Sequence, residues 1–146
     1  MPETPARPPS PATRERCWLP RSRRAPATAR VLLRSFLSRQ QDGEHFIDKA
    51  ELLVSELVTN ALVHGTRADQ LIRLTLEVED RLLRISVEDA SADPPCLGSG
   101  IEAETEAVSG RGLLLVDRLA EKWGWGPRDG IGKLVWCTCT PASDVG

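Results

Sequence analysis

The stretch SELVTNALVHG, residues 55–65, places two polar side chains one helical turn apart. Glu56 and Asn60 are four residues apart and His64 is four further on, so a helix aligns all three along one side. A carboxylate can accept a proton or hold a metal-bound water, and an amide oxygen is a ligand that suits Mg²⁺. Taken alone, such a pair is more often a solvated helix edge, and a terminal His more often satisfies the last carbonyls.

Two further groups have the chemistry of a ligand site. Asp89 ends an apolar strand pattern, where its carboxylate can accept a hydrogen bond from an exocyclic amine such as that of adenine. Backbone N–H groups at a helix N-terminus favour phosphate, and a turn of that kind is formed by Gly110, Arg111, Gly112 and Leu113. Alone, each is more often a simple turn. Together with a cation site they supply every part of a nucleotide site.

Apolar spacings of three and four residues predict the helices that position these groups. Residues 27–40, which follow Pro26, are predicted to form an amphipathic surface helix, and residues 44–64 a long central helix that ends at Gly65. A third helix is predicted after the Gly110 turn. The predicted inward positions are Val31, Leu32, Phe36 and Leu37 in the first, Ile47, Ala50, Leu53, Val54, Leu57, Val58 and Ala61 in the second, and Leu113, Leu114, Val116, Leu119 and Ala120 in the third.

Alternating apolar residues predict the strands. Residues 71–79 and 81–89 form a hairpin that turns near Asp80, residues 122–140 form a second hairpin, and residues 16–20 form a short strand. Cys137 and Cys139 share one strand face, where they pack as small apolar groups. We therefore expect a mixed, mainly antiparallel sheet with helices on one face.

Composition excludes several classes of protein. The chain has 146 residues, 4% aromatic residues and four cysteines without a CxxC pair, which argues against a structural zinc site and against base stacking on single strands. Residues 1–40 hold nine arginines and two acids, a net charge of +7, whereas the remaining residues carry −9. This basic head is more often a solvated surface than a nucleic-acid site. With no long apolar run, we expect a cytoplasmic protein.

The chain is predicted to hold one domain. Residues 1–15 are rich in Pro and Arg and are expected to be a disordered leader, residues 16–141 the domain, and residues 142–146 a tail. Residues 90–110 lose all periodicity, and a loop of that length is more often functional than idle. We expect it to act as a lid.

These motifs resemble those of a known superfamily. ELVTNALVHG, VEDASADPP, and GRGLLLV followed by GKLVW are similar to the N, G1 and G2 boxes of the histidine-kinase-like ATPases, which include gyrase B, the heat-shock chaperone ATPase and sensor histidine kinases. Within it, the chain is similar to the stand-alone anti-sigma factor serine kinases of actinomycetes. The resemblance covers about residues 16–140. It implies an α/β two-layer sandwich of the Bergerat type that binds ATP and Mg²⁺ between the central helix and the lid.

The resemblance also implies roles for individual residues. Asn60 corresponds to the magnesium ligand, Glu56 to the catalytic carboxylate, and Asp89 to the residue that binds adenine. Gly110 and Gly112, with Arg111 and Leu113, correspond to the phosphate turn.

Two positions depart from the family pattern. Asp89 is followed by ASAD where the G1 box carries two glycines. The last strand begins with Lys133 and Leu134, where the superfamily tends to carry a hydroxyl that supports the adenine.

Three functions follow as hypotheses. The first is an ATP-dependent serine kinase that sequesters a sigma factor and phosphorylates an anti-sigma antagonist. The second is a catalytically silent, nucleotide-gated module that binds a protein partner, with its basic helix as the docking surface. The third, direct DNA binding through the arginine-rich head, ranks last because only charge supports it. A homodimer stays open as an assembly.

Overall fold

The computed structural model describes residues 13–65, 71–91, 115–128 and 130–142. The described strands are β1 (Arg14–Leu19), β2 (Ile72–Glu79), β3 (Leu82–Asp89), β4 (Lys122–Pro127) and β5 (Lys133–Cys139). The described helices are α1 (Ala25–Ser38), α2 (Ile47–Asn60) and α3 (residues 115–119), with a 3-10 turn over Gly43–Phe46 before α2 and a π-helical turn over Ala61–Gly65 after it. This order confirms the predicted succession of strand, two helices, hairpin, helix and hairpin.

The five strands form one sheet in the order β1, β2, β3, β5, β4, and all pairings between them are antiparallel. Side chains alternate between the two faces of each strand, so the apolar set lies on one face. α1 packs on α2 and contacts β1 and β2, while α2 contacts β3 and β5. The predicted two-layer α/β sandwich is confirmed. From the strands, the core takes Leu19, Ile72, Leu74, Leu76, Leu83, Ile85, Val87, Val135, Cys137 and Cys139.

α1 confirms the predicted helix and corrects one of its apolar positions. Pro26 lies in the first turn, where its fixed backbone angle suits a helix and its missing N–H costs nothing. Phe36 and Leu37 are buried as predicted, and Leu32 packs against the core. Val31, however, is 66% exposed, so its predicted inward position is wrong. The buried stripe of α1 begins with two alanines, which the prediction from apolar spacing did not include. Its members are Ala25, Ala29, Leu33, Phe36 and Leu37.

The central helix follows the predicted path with changes in its hydrogen bonding. The chain is helical from Gly43 to Gly65, but as a 3-10 turn, an α-helix and a π turn in succession. The predicted apolar stripe is confirmed, since all its members are buried except Ile47, which packs partly buried against the core. A single π turn within a helical path is rare and occurs most often at functional sites. Here it follows Asn60 directly.

Both hairpins are confirmed. Asp80 and Arg81 have φ angles of 52° and 61°, the left-handed pair that a two-residue turn between right-twisted strands requires. In the second hairpin, β4 pairs along β5 from Lys122 to Pro127. Burial raises the pKa of the Cys139 thiol to about 11 and raises that of Cys137 further. Both residues therefore stay protonated and pack as small apolar groups.

The described part of α3 is joined to β4. Val116 is buried, and Leu119 and Ala120 pack against the core as predicted. The Trp123 indole Nε1 donates a hydrogen bond of 2.8 Å to the Asp117 carboxylate, which fixes α3 over the start of β4. Leu113 and Leu114, predicted to be inward on the same helix, lie outside the described residues.

Several other predictions fall outside the described residues. These are most of the leader, the tail from residue 143, and the predicted lid beyond Ser91. β1 begins at Arg14, so this strand includes the last two residues of the predicted leader. None of the described helices is long and apolar enough to cross a membrane.

Gly43 is the position where the fold depends most directly on a missing side chain. A Cβ there would lie 1.9 Å from the Leu37 carbonyl oxygen, a backbone atom that cannot move without displacing the end of α1. We expect Gly43→Ala to lower the free energy of unfolding by about 1–3 kcal/mol, as overpacking does elsewhere. Gly126→Ala is the matched control, because a Cβ at Gly126 has no heavy atom within 4 Å. Urea titration of both variants measures the difference, and equal midpoints would contradict the packing argument.

Candidate functional site

Glu56 lies on the side of α2, next to its buried stripe. The side chain is half-buried, and this burial raises the pKa of its carboxyl above the ordinary value of 4.5. Desolvation is the cause, because a charged carboxylate loses hydration there. The neighbouring Ser55 accepts a hydrogen bond of 2.8 Å from Arg30, which joins α1 to this part of α2. Glu56 is thus a carboxyl held at the boundary between core and solvent, with its affinity for a proton increased.

Asn60 is the last residue of α2 and is buried, whereas such a residue taken alone is more often at a solvated helix edge. Its side chain is 2% exposed, among the few buried polar residues described. The π turn begins at the next residue and contacts β3. Because a π turn widens the helical path, the backbone around Asn60 departs from a regular α-helix. The amide oxygen of this residue has the hard-donor chemistry that a magnesium ion requires.

Asp89 ends β3 and is completely buried, with a relative exposure of 0%. Its Oδ1 accepts a hydrogen bond of 2.9 Å from the backbone N–H of Ser91. Burial raises the pKa of the carboxyl above its ordinary 3.8, while the Ser91 N–H and the positive charges of Lys133 and Arg128 partly oppose this rise. Hydrogen bonds and nearby cations favour the charged form, whereas desolvation favours the neutral form.

Lys133 is the residue of this site that sequence reasoning did not assign. It pairs with Asp89 across β3 and β5, and both side chains project to the inner face. Its ammonium Nζ lies 3.1 Å from Asp89 Oδ1, and both side chains are 1% exposed. The signal was present in the sequence, because the charged Lys133 begins an otherwise apolar strand. What the sequence lacked was the register that places it opposite Asp89.

The turn before β5 brings this pair together. Gly132 has a φ angle of +123°, and a Cβ at this position would lie 2.0 Å from the Asp89 carbonyl oxygen. Only glycine adopts such a backbone without a steric conflict. The Arg128 guanidinium donates from Nε to the Ile131 carbonyl at 2.6 Å, which closes the same turn. The glycine therefore lets the β5 end approach the end of β3.

The described part of the site offers an unused acceptor to a ligand donor. Asp89 Oδ2 is buried and has no hydrogen-bond partner among the described residues, although buried polar atoms almost always have one. An exocyclic amine would donate the missing hydrogen bond. The Asn60 amide oxygen is of the ligand type that a divalent cation prefers. The predicted phosphate turn of Gly110, Arg111, Gly112 and Leu113 lies outside the described residues, as does the side chain of His64.

Two open depressions among the described residues lie elsewhere. Both include Asp80 and Arg81, in the turn between β2 and β3. That turn and Asp89 are at opposite ends of β3, which spans roughly 25 Å at about 3.3 Å per residue. These depressions are therefore separate from the site formed around Asp89.

Comparison with known protein families gives a match that covers most of the chain. The family described as the histidine kinase-like ATPase domain matches residues 19–138. This range contains Glu56, Asn60, Asp89 and Lys133. No protein of curated function matches the chain.

The raised pKa of Glu56 predicts a specific dependence of stability on pH. A folded carboxyl with a raised pKa keeps a proton that the unfolded chain has already released, so the folded state loses stability as pH rises above about 4.5. Glu56→Gln removes this penalty. We therefore expect the variant to unfold at a higher temperature than the wild type at pH 7, with the difference disappearing near pH 4.

Glu44→Gln is the matched control for this measurement. Glu44 lies in the 3-10 turn before α2, and its side chain is 72% exposed, so it keeps its hydration in the folded state. Thermal unfolding from pH 4 to pH 8, without nucleotide, should show no comparable gain for Glu44→Gln. A Glu56→Gln curve that stays parallel to wild type over the whole range would refute the desolvation argument.

Proposed function

The chain belongs to the family of histidine kinase-like ATPase domains, and from this premise we propose that it is an ATP- and Mg²⁺-dependent serine kinase that regulates transcription. In this proposal it holds a sigma factor and phosphorylates an anti-sigma antagonist protein. The family itself supports ATP binding. The observation that carries the site assignment is the buried Asp89 carboxylate, whose Oδ2 lacks a partner among the described residues.

Each described site residue has a role in the proposal. Asp89 accepts a hydrogen bond from the adenine amine, and Asn60 supplies an oxygen ligand to the magnesium ion. When bound, Mg²⁺ neutralises charge on the phosphates, which is the main requirement of phosphoryl transfer. The buried position of Asn60 supports this role, because a ligand held by packing is already oriented for the metal.

Glu56 is the proposed proton acceptor. In the transfer step, the serine oxygen of the antagonist forms a bond to the γ-phosphorus, the bond between that phosphorus and ADP breaks, and the serine proton passes to Glu56. A general base acts best when its pKa approaches the working pH. Desolvation raises the pKa of Glu56 in that direction, which supports the assignment.

A second candidate is the silent module that binds nucleotide without transferring phosphate. The ion pair between Asp89 and Lys133 favours it, because the carboxylate is partly satisfied by the protein itself. An acid that is neutralised in this way does not depend on bound nucleotide for its burial. The chain could then switch between two partners on nucleotide binding alone.

The basic head is a weak docking surface for either a protein or DNA. Several of its arginines already have partners within the chain, which reduces the charge they offer to another molecule. Their ion pairs in the described residues are Arg14 with Glu77, Arg34 with Glu51, and Arg39 with Glu15. These contacts support a structural role for α1 and leave DNA binding as the weakest hypothesis.

Binding of Mg²⁺ and ATP tests the nucleotide site. We expect calorimetry to show ATP binding that is tighter with Mg²⁺ than with EDTA. Asn60→Ala should lose at least about 10-fold of this metal-dependent affinity, as loss of groups around a metal does elsewhere. Thr59→Ala, a half-buried neighbour on the same helix, is the control and should bind as the wild type does. If calorimetry detects no binding of ATP to folded wild-type protein, the proposal is wrong.

Phosphoryl transfer separates the two candidates. Proteins co-purified with the chain from its native extract are incubated with γ-labelled ATP, and the kinase hypothesis expects label on a serine of an antagonist. Glu56→Gln should reduce this labelling by roughly 100-fold or more while ATP binding persists, since a general base contributes about that much. Glu44→Gln should label normally. Unchanged labelling with Glu56→Gln would remove Glu56 from the chemistry, and ATP binding without any labelling would favour the silent module.

A further inference from the structure

The pair formed by Asp89 and Lys133 has an unusual composition for a protein core. Lys133 is among the largest fully buried side chains described, and lysine is rarely buried to this extent. A buried ion pair recovers its desolvation cost only when its geometry is good and the remaining polar atoms find partners. The stability of this pair therefore depends on the hydrogen-bond partners of its remaining polar atoms.

Within the part of the chain that the structure describes, the pair has one acceptor and one donor without a partner. A lysine ammonium has three N–H donors. Lys133 directs one to Asp89 Oδ1 at 3.1 Å and one to the Ser91 carbonyl at 3.5 Å, the outer limit for a hydrogen bond. Among the described residues it has no third acceptor, and Asp89 Oδ2 has no donor. The β3–β5 register pairs the two residues that carry these groups.

A ligand that satisfies both groups must present a donor to the Asp89 oxygen and an acceptor to the Lys133 ammonium. An edge that carries an N–H next to a ring nitrogen without a hydrogen meets both requirements. Adenine has this edge, since its 6-amino group donates and its N1 accepts. Guanine and hypoxanthine carry a hydrogen on N1, which would face the ammonium.

We propose that Lys133 is a second base-recognition residue, whose ammonium donates to N1 of adenine while Asp89 Oδ2 accepts from the 6-amino group. The inference rests on the proposed ATP site and specifies how that site selects its base. Unlike a hydroxyl, which can donate or accept, an ammonium only donates, so this site demands an acceptor at position 1 of the ring. Lys133 also favours the charged form of Asp89, because its positive charge opposes the effect of burial on the pKa of that carboxyl.

A purely structural lysine is the competing explanation. In that case Lys133 neutralises Asp89 and makes no contact with nucleotide. Removing the ammonium would then weaken binding of every adenine nucleotide by the same factor, whether or not the base carries N1. Binding of base analogues to wild-type and variant protein distinguishes the two explanations.

The experiment measures dissociation constants for the full chain by calorimetry, with Mg²⁺ and three nucleotides. ATP is compared with 1-deaza-ATP, in which a C–H replaces N1, and with 7-deaza-ATP, which keeps both N1 and the amino group and controls for loss of a ring nitrogen. We expect wild type to bind 7-deaza-ATP about as well as ATP, and 1-deaza-ATP roughly 10- to 100-fold more weakly, the loss expected for one hydrogen bond to a charged group. GTP should bind more weakly than ATP by at least about the same factor.

Lys133→Met assigns this dependence to the lysine. The variant matches the lysine stem up to its ε position and removes the ammonium, so ATP should bind more weakly and the ratio between 1-deaza-ATP and ATP should fall towards one. Because loss of one partner from a buried pair is destabilising, the double variant Asp89→Asn/Lys133→Met is measured alongside it. It removes both charges, and it should also fail to distinguish the two nucleotides.

Each outcome supports or overturns the proposal. If wild type binds 1-deaza-ATP or GTP as tightly as ATP, position 1 is not recognised and the proposal is wrong. It is also wrong if the wild-type preference for N1 persists in the variants, because another group then recognises that atom. If folded wild type binds none of the nucleotides, the ATP site itself fails, and the base-recognition proposal fails with it. The wild-type series alone decides the first question even where a variant does not fold.

Discussion

The structure depends on how the end of β3 meets the beginning of β5. Asp89 and Lys133 are paired residues in the strand register, and both project to the inner face of the sheet, where helix α2 covers β3 and β5. Two opposite charges there are costly to desolvate, so each requires the other. The glycine turn at Gly132 permits the approach, because any larger residue would collide with the Asp89 carbonyl. Register, turn and ion pair therefore specify a single arrangement.

The central helix packs against the sheet with one face and carries the polar residues of the proposed site on the neighbouring face. Its apolar stripe is buried against the sheet, and the half-buried Glu56 and the buried Asn60 lie beside that stripe. This gives the polar side chains a rigid support, which a loop would not provide. The π turn changes the helical path directly after Asn60, the proposed magnesium ligand. Fold and proposed site thus share one element, so core packing constrains the positions of both polar residues.

Much of the fold could be predicted because periodicity reports burial directly. Alternation in 71–89 gave the first hairpin, and the stripe from Ala50 to Ala61 gave the inner face of the central helix. Val31 was misplaced because alanines form much of the buried face of α1, and alanine is a weak apolar signal. The π turn has no local signature in the sequence, since it reflects how the end of the helix packs on β3. Contact between Asp89 and Lys133 needed the register, which joins residues 44 positions apart.

The two carboxyl groups of the proposed site, Glu56 and Asp89, differ in the groups that surround them. Burial raises the pKa of both Glu56 and Asp89, but the causes that oppose the rise are found only at Asp89, where a backbone N–H and two cations stabilise the charge. Asp89 is therefore suited to remain a fixed acceptor for a ligand donor. Glu56, for which desolvation is the resolved cause, is suited to take up a proton that a reacting hydroxyl releases. A site that needs one constant acceptor and one proton acceptor is better served by this difference than by two equivalent acids.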